Sequence, residues 1–144
     1  MLLGRYREMN DNAKMWVSAL RSGVYVQARG SLRVESQELG TKFCCLGVAC
    51  DLYSKSVGEG SWTEEGWFEL RNSHGLDTNG SDVFLPEDVM EWLGLSHVQG
   101  KFFDEGVEAG TDSLTDMNDN DSTFEDIAKI IEEEPRGLFI GTEE

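Results

Sequence analysis

The chain has 144 residues, of which 39% are hydrophobic and 10% aromatic, a composition typical of one folded domain rather than a disordered chain. No apolar run approaches the ~20 residues needed to span a bilayer, and the early charges leave no signal-peptide core, so we expect a cytoplasmic protein with no membrane partner. The net charge of −16 repels other polyanions and argues against direct nucleic-acid binding.

The negative charge is concentrated in the second part of the chain. Residues 1–55 contain eight Lys/Arg and five Asp/Glu, whereas residues 56–144 contain four and 23. Such a surface serves solubility alone, or it binds a partner protein that has a basic surface. The sequence leaves both interpretations open.

Helical signals dominate the first part of the chain. Apolar residues at helical spacing predict a helix over 10–22, capped by Asn10 or Asp11 and ended by Gly23. Residues 24–35 have no helical period and read as extended chain. A second helix, over 42–55, is apolar on nearly all sides and is therefore expected at the centre of the fold.

Shorter elements follow. Residues 57–81 predict one or two short strands, with 83–85 as a pairing partner. Pro86 begins a helix over 86–93 that Gly94 ends, and residues 114–118 form a helical turn. A capping box from Ser122 to Glu125 begins the last helix, which ends before Pro135.

These elements predict one compact α+β domain over residues 1–144. It is mostly helical, with about four to five helices and a small antiparallel sheet, because no linker or repeat divides the chain. We expect residues 135–144 to form a flexible acidic tail.

Three cysteines, Cys44, Cys45 and Cys50, lie within seven residues of one another. This spacing is a poor framework for disulfides, and metal binding favours a CxxC pair with distant partners, which the chain lacks. We interpret the three as small buried residues in a reduced compartment.

Signals for catalysis and metal binding are absent. A calcium loop beginning at Asp116 would need glycine and glutamate where Asp121 and Ile127 stand. Neither His74 nor His97 belongs to a nucleophile or zinc motif. We therefore predict no catalytic residues, no metal and no cofactor, although the many acids leave open a hydrolase that uses paired carboxylates.

One set of residues in the basic first third could bind an anion. Guanidinium groups, an amide and an aromatic face can hold a phosphate and stack a base, and the set comprises Arg21, Tyr25, Gln27, Arg29, Arg33 and Lys42. Internal ion pairs with the acidic second half are the alternative. The sharper hypothesis is a pocket that sequesters an anionic nucleotide signal.

Four segments taken in order are similar to a known pattern: WVSALRSGVYVQARGSLR, KFCCLGVACDL, LPEDVMEWLGL and LTDMNDNDSTFEDIA. Together they resemble an uncharacterised family of small proteins encoded by bacteriophages and prophages. Asp121 stands where that pattern has glycine, and aspartate tolerates a left-handed backbone, so the turn is expected to persist. The resemblance implies phage provenance and a shared fold, but it assigns no catalytic residue.

The sequence therefore leads to a ranked set of functions. The first is a non-enzymatic phage accessory protein that binds and inhibits a host factor, for example a defence component, through its acidic surface. The second is the nucleotide-sequestering binder, and the third is the carboxylate hydrolase.

Overall fold

The computed structural model describes residues 9–38, 40–64, 66–69, 85–103 and 111–140. Within them, five helices pack around one hydrophobic core: α1 (Asp11–Arg21), α2 (Cys45–Val57), α3 (Glu87–Leu93), α4 (Leu114–Asp119) and α5 (Phe124–Glu133). Short strands complete the fold, which confirms the predicted α+β class. In this part of the chain no helix is long and apolar enough to cross a membrane.

The strands form three small sheets. The largest has β3 (Gly40–Phe43) at its centre, antiparallel to β2 (Arg33–Ser36) and parallel to β1 (Val26–Gln27). The other two are antiparallel pairs: β4 (Ser61–Trp62) with β5 (Phe68–Glu69), and β6 (Lys101–Phe103) with β7 (Thr111–Ser113). Leu85 precedes α3 outside any strand, and residues 83–84 of the predicted pairing segment lie outside the described residues.

Helix α2 is the central element, as its apolar sequence predicted. It is buried from Cys45 to Cys50 and packs against α1, α3, α4 and β3. The helix begins three residues later than predicted because Lys42 and Phe43 pair with β2 as part of β3. A left-handed Gly58 ends it.

The caps explain where the outer helices begin. The Asn10 side chain accepts a hydrogen bond from the Ala13 amide and starts α1. Helix α5 has a capping box, but it joins Thr123 to Asp126, one residue later than the predicted pair. Asp121 has a φ of 83°, so the left-handed turn expected at this position is present.

Residues 135–140 are packed against the domain. Leu138 and Phe139 are buried, and Phe139 forms an isolated β-bridge with Leu95. The Leu138 carbonyl also accepts a hydrogen bond from the Ser96 amide. The segment in which we expected a flexible tail is thus part of the core up to Phe139, and residues 141–144 lie outside the described residues.

Candidate functional site

Arg21 joins α1 to α5. Its Nε lies 3.0 Å from a carboxylate oxygen of Glu125, and its Nη1 lies 2.7 Å from one of Glu132. The hydrogen bond to Glu132 is the main cause that raises the pKa of Arg21. This guanidinium is therefore used in an interhelical contact.

Tyr25 is held between the sheet and α2. Its hydroxyl donates a hydrogen bond of 2.7 Å to Asp51, and its ring packs edge-on against Phe43. Lys55 forms an ion pair with the same Asp51 and lies 5.7 Å from the centroid of the tyrosine ring. Burial raises the pKa of Tyr25, so the hydroxyl remains a donor to Asp51 at neutral pH.

Gln27 reaches a buried amide that sequence reasoning did not single out. Its Nε2 donates to Asn118 Oδ1 and to the Ser122 carbonyl, both at 2.9 Å. Asn118 Oδ1 also accepts from the Cys45 amide at 3.1 Å, and Asn118 Nδ2 donates to the Ala28 carbonyl at 2.8 Å. Asn118 is 1% exposed. We call this set of contacts the Asn118 junction.

The junction connects three of the four segments that carried the family resemblance. Beside it, Asp119 accepts a hydrogen bond from the Gly30 amide at 2.8 Å. The adjoining cavity measures only about 10 Å³, barely the space one water needs, so the junction has no room for a nucleotide. The sequence did contain a signal, because Asn118 lies four residues after buried Leu114 and so shares its helix face.

Arg33 lies across the sheet from Gln27. Its Nη2 is 3.1 Å from Glu35, and its guanidinium carbon is 5.7 Å from the centroid of the Trp62 ring. It lines an open cleft of about 300 Å³ together with Glu35 and Glu64. This cleft therefore contains both charge signs.

The side chains of Arg29 and Lys42 make no hydrogen bond or ion pair with another residue of the described ranges. Arg29 is exposed in the turn after β1. Lys42 pairs with Val26 on one side and Val34 on the other, so it faces away from the row that Gln27, Phe43 and Arg33 form. The six candidate residues thus lie at the α1–α5 contact, on both faces of the sheet and in a turn, rather than around one cavity.

The three cysteines are free and buried, which confirms their predicted burial. The Sγ of Cys44 accepts a hydrogen bond from the Gly47 amide and caps α2, and burial raises its pKa to about 12. The Sγ of Cys45 donates to the Leu114 carbonyl. Over the described ranges, no group of three or more acidic, histidine or cysteine side chains is placed to hold a metal ion.

An open groove of about 430 Å³ lies beside the β6–β7 pair and α5. We call it the Phe103 groove, and its lining residues are Phe102, Phe103, Asp112, Met117, Ser122, Ile130, Glu133, Pro135 and Arg136. The Phe103 ring is packed against Gly137, yet the residue stays 36% exposed. The guanidinium carbon of Arg136 lies 4.4 Å from the centroid of that ring.

Carboxylates cover the outer faces of two helices. On α3, Glu87, Asp88 and Glu91 point away from the buried Val89 and Leu93, and the helix contains no basic residue. On α5, Lys129 is the one basic residue, and the exposed acids are Glu125, Asp126, Glu132 and Glu133. Both faces are acidic, and on α5 the carboxylates of Glu125 and Glu132 are paired with Arg21.

Comparison with known proteins places the chain in a family. No curated protein and no solved structure matches it. A family model does match, over residues 9–135, which include α1 through α5 and the Asn118 junction. The chain therefore belongs to the family described as "Domain of unknown function (DUF8296)".

Proposed function

We propose that this chain is a non-enzymatic phage accessory protein that binds and inhibits a host factor in the host cytoplasm through its acidic surface. One observation carries the proposal: the carboxylates of α3 and Glu133 of α5 face outward, whereas Arg21 and Arg33 form ion pairs within the molecule. The exposed field that remains is negative and favours a basic partner.

The phage origin within this proposal rests on the sequence. The four ordered segments resemble small phage and prophage proteins, and small accessory proteins of this kind often act by disabling a host component. A host protein with a basic surface, such as a nucleic-acid-binding component of defence or transcription, has the charge that the acidic faces attract.

A capture experiment with charge variants tests the proposal. Tagged protein is incubated with host lysate at low and high salt, and retained proteins are identified by mass spectrometry. Two variants remove carboxylates from one face each: Glu87→Gln with Glu91→Gln on α3, and Glu133→Gln on α5, where Glu125 and Glu132 are kept because they pair with Arg21. The control, Glu87→Asp with Glu91→Asp, keeps the charge of α3.

We expect the tagged protein to capture a basic host protein at low salt and to lose it at high salt, because salt screens exposed charge pairs. Neutralising the face that binds should reduce its capture, while the charge-preserving control retains it. Capture that neither salt nor either variant changes would refute binding through the acidic surface. The recovered protein must also lose activity when the chain is added, otherwise the inhibitory part of the proposal fails.

A second candidate function is sequestration of an anionic nucleotide. It is favoured by Arg29 and Lys42, which have no ion pair within the described ranges, and by the open cleft beside Arg33. Native mass spectrometry of protein purified from its host should then detect a nucleotide-sized ligand. Arg29→Ala and Arg33→Ala should each remove that mass, whereas exposed Lys14→Ala should not; retention in both variants would contradict this function.

A further inference from the structure

The lining of the Phe103 groove contains an apolar part that water can reach. Five of its nine residues are apolar: Phe102, Phe103, Met117, Ile130 and Pro135. Phe103 is 36% exposed even though Gly137 packs closely against its ring. Exposed apolar surface rimmed by polar residues marks interaction sites, and a concavity of this volume has room for one large side chain of a partner.

The charged residues of the groove restrict the chemistry of an occupant. Asp112 and Glu133 line it, and Asp116 and Asp121 are exposed on the chain segments that contain Met117 and Ser122. The single basic residue, Arg136, lies over the Phe103 ring at cation–π distance. The ring face therefore accepts a guanidinium group, and the surrounding carboxylates disfavour an anion.

We infer that the Phe103 groove is the docking site for a basic segment of the partner protein that carries one aromatic side chain. The aromatic group enters the apolar part of the groove, and flanking Lys or Arg side chains pair with Asp112 and Glu133. This inference rests on the proposed acidic-surface function and specifies where on that surface the partner binds.

Fluorescence anisotropy with synthetic peptides tests the inference on the full chain. The probe is a labelled peptide with four Lys or Arg residues around one Phe, and a second peptide has Ala in place of that Phe. The protein variant is Glu133→Lys. Its matched control is Glu38→Lys, because Glu38 is also exposed, lies on neither acidic helix face and does not line the groove, and both substitutions change the net charge equally.

We expect the Phe peptide to bind roughly tenfold more tightly than the Ala peptide, since the ring is removed from water on binding. Glu133→Lys should weaken binding of the Phe peptide about tenfold, and Glu38→Lys by less than about threefold, because only Glu133 lines the groove. Circular dichroism of both variants checks that they are folded.

Three results would overturn the groove assignment: equal weakening by the two lysine variants, equal binding of the two peptides, or no binding of either peptide. Equal weakening leaves the acidic-surface function intact, because it shows attraction by net charge without a specific site. A different result would refute the proposed function itself. That result is capture from lysate that changes neither with salt nor with the amide variants of α3 and α5.

Discussion

At the scale of single residues, Asn118 provides hydrogen bonds that no apolar side chain could replace. Its side-chain oxygen accepts a hydrogen bond from the Cys45 amide at the start of α2, and its side-chain nitrogen donates one to the Ala28 carbonyl after β1. Both partners are far from Asn118 in sequence. Because these backbone groups are buried, leaving them without a partner costs more than the bonds themselves contribute.

We predict that Asn118→Ala lowers the free energy of unfolding by about 2–4 kcal/mol, since two buried backbone groups and the Gln27 side chain lose their partner. Urea denaturation followed by circular dichroism measures the change. The control is Asn120→Ala, because Asn120 is exposed and its side chain donates one hydrogen bond, to the Asp116 carbonyl; it should cost less than about 1 kcal/mol. Similar decreases in the free energy of unfolding for both variants would contradict a special role of the Asn118 junction.

A second prediction concerns His97. Its Nδ1 accepts a hydrogen bond from the Gln99 amide, and burial together with the nearby Lys101 lowers its pKa below 6.5. The native state therefore binds fewer protons at this site than the unfolded chain, so the free energy of unfolding decreases as the pH falls through 6.5 towards the native pKa.

The variant His97→Asn keeps an acceptor in place of Nδ1 but does not titrate there. We expect its unfolding midpoint in urea to decrease less than that of the unsubstituted chain between pH 7.5 and pH 5.5. His74 is present in both proteins, so the difference between them isolates His97. If the unfolding midpoints of the two proteins changed in parallel with pH, the pKa of His97 would not be lowered in the native state.

At the scale of elements, α2 depends on a close contact with the chain before β2. A Cβ at Gly47 would lie 1.9 Å from the Leu32 carbonyl oxygen, and that carbonyl accepts a hydrogen bond from the Cys44 amide. Glycine at this helical position is therefore needed for packing.

We predict that Gly47→Ala destabilises the protein by roughly 2 kcal/mol or more, although alanine favours a helix by about 1 kcal/mol over glycine. The clash with the Leu32 carbonyl oxygen outweighs the helix preference of alanine, so the net effect on stability is unfavourable. Thermal or urea denaturation provides the measurement, and Ser56→Ala on the exposed side of α2 should change stability by less than about 0.5 kcal/mol. A Gly47→Ala variant as stable as the parent would disprove the tight contact.

The helices were predictable because each has local signals. Asn10, Gly58, Gly94 and Thr123 are all cap positions, and the predicted helix ends differ from the observed ones by at most three residues. The strands contain two to four residues, too few for an alternating pattern to be read. Lys42 and Phe43 were accordingly assigned to a helix when they belong to β3.

The candidate sites were less predictable, because their contacts join residues distant in sequence. Arg21 pairs with Glu125, and Gln27 with Asn118, across about two thirds of the chain. The Phe103 groove likewise forms only when β6 meets α5 and the segment after it. Residue types indicated which side chains could bind, but packing decides which of them meet.

At the scale of the whole molecule, the net charge of −16 opposes the compact state. The ion pairs Arg21–Glu125, Arg33–Glu35 and Lys55–Asp51 are at least partly exposed, and such pairs contribute little. Repulsion among the remaining carboxylates should therefore dominate the response of stability to salt.

We predict that the thermal midpoint rises when NaCl increases from 10 to 500 mM. Screening that removes about 1 kcal/mol of repulsion raises the thermal midpoint by roughly 3–6 °C for a chain of this size. Differential scanning calorimetry at fixed pH measures the shift. A midpoint that falls with salt would mean that native ion pairs outweigh the repulsion.

The packing of α1 against α5 has a consequence for synthesis in the cell. Helix α1 contacts α5, which is synthesised much later, and Gln27 needs Asn118 of α4. Until α4 and α5 have left the ribosome, the preceding elements lack both partners and the core cannot close. Truncating the chain before α4 should therefore leave those elements without the surfaces that hold them.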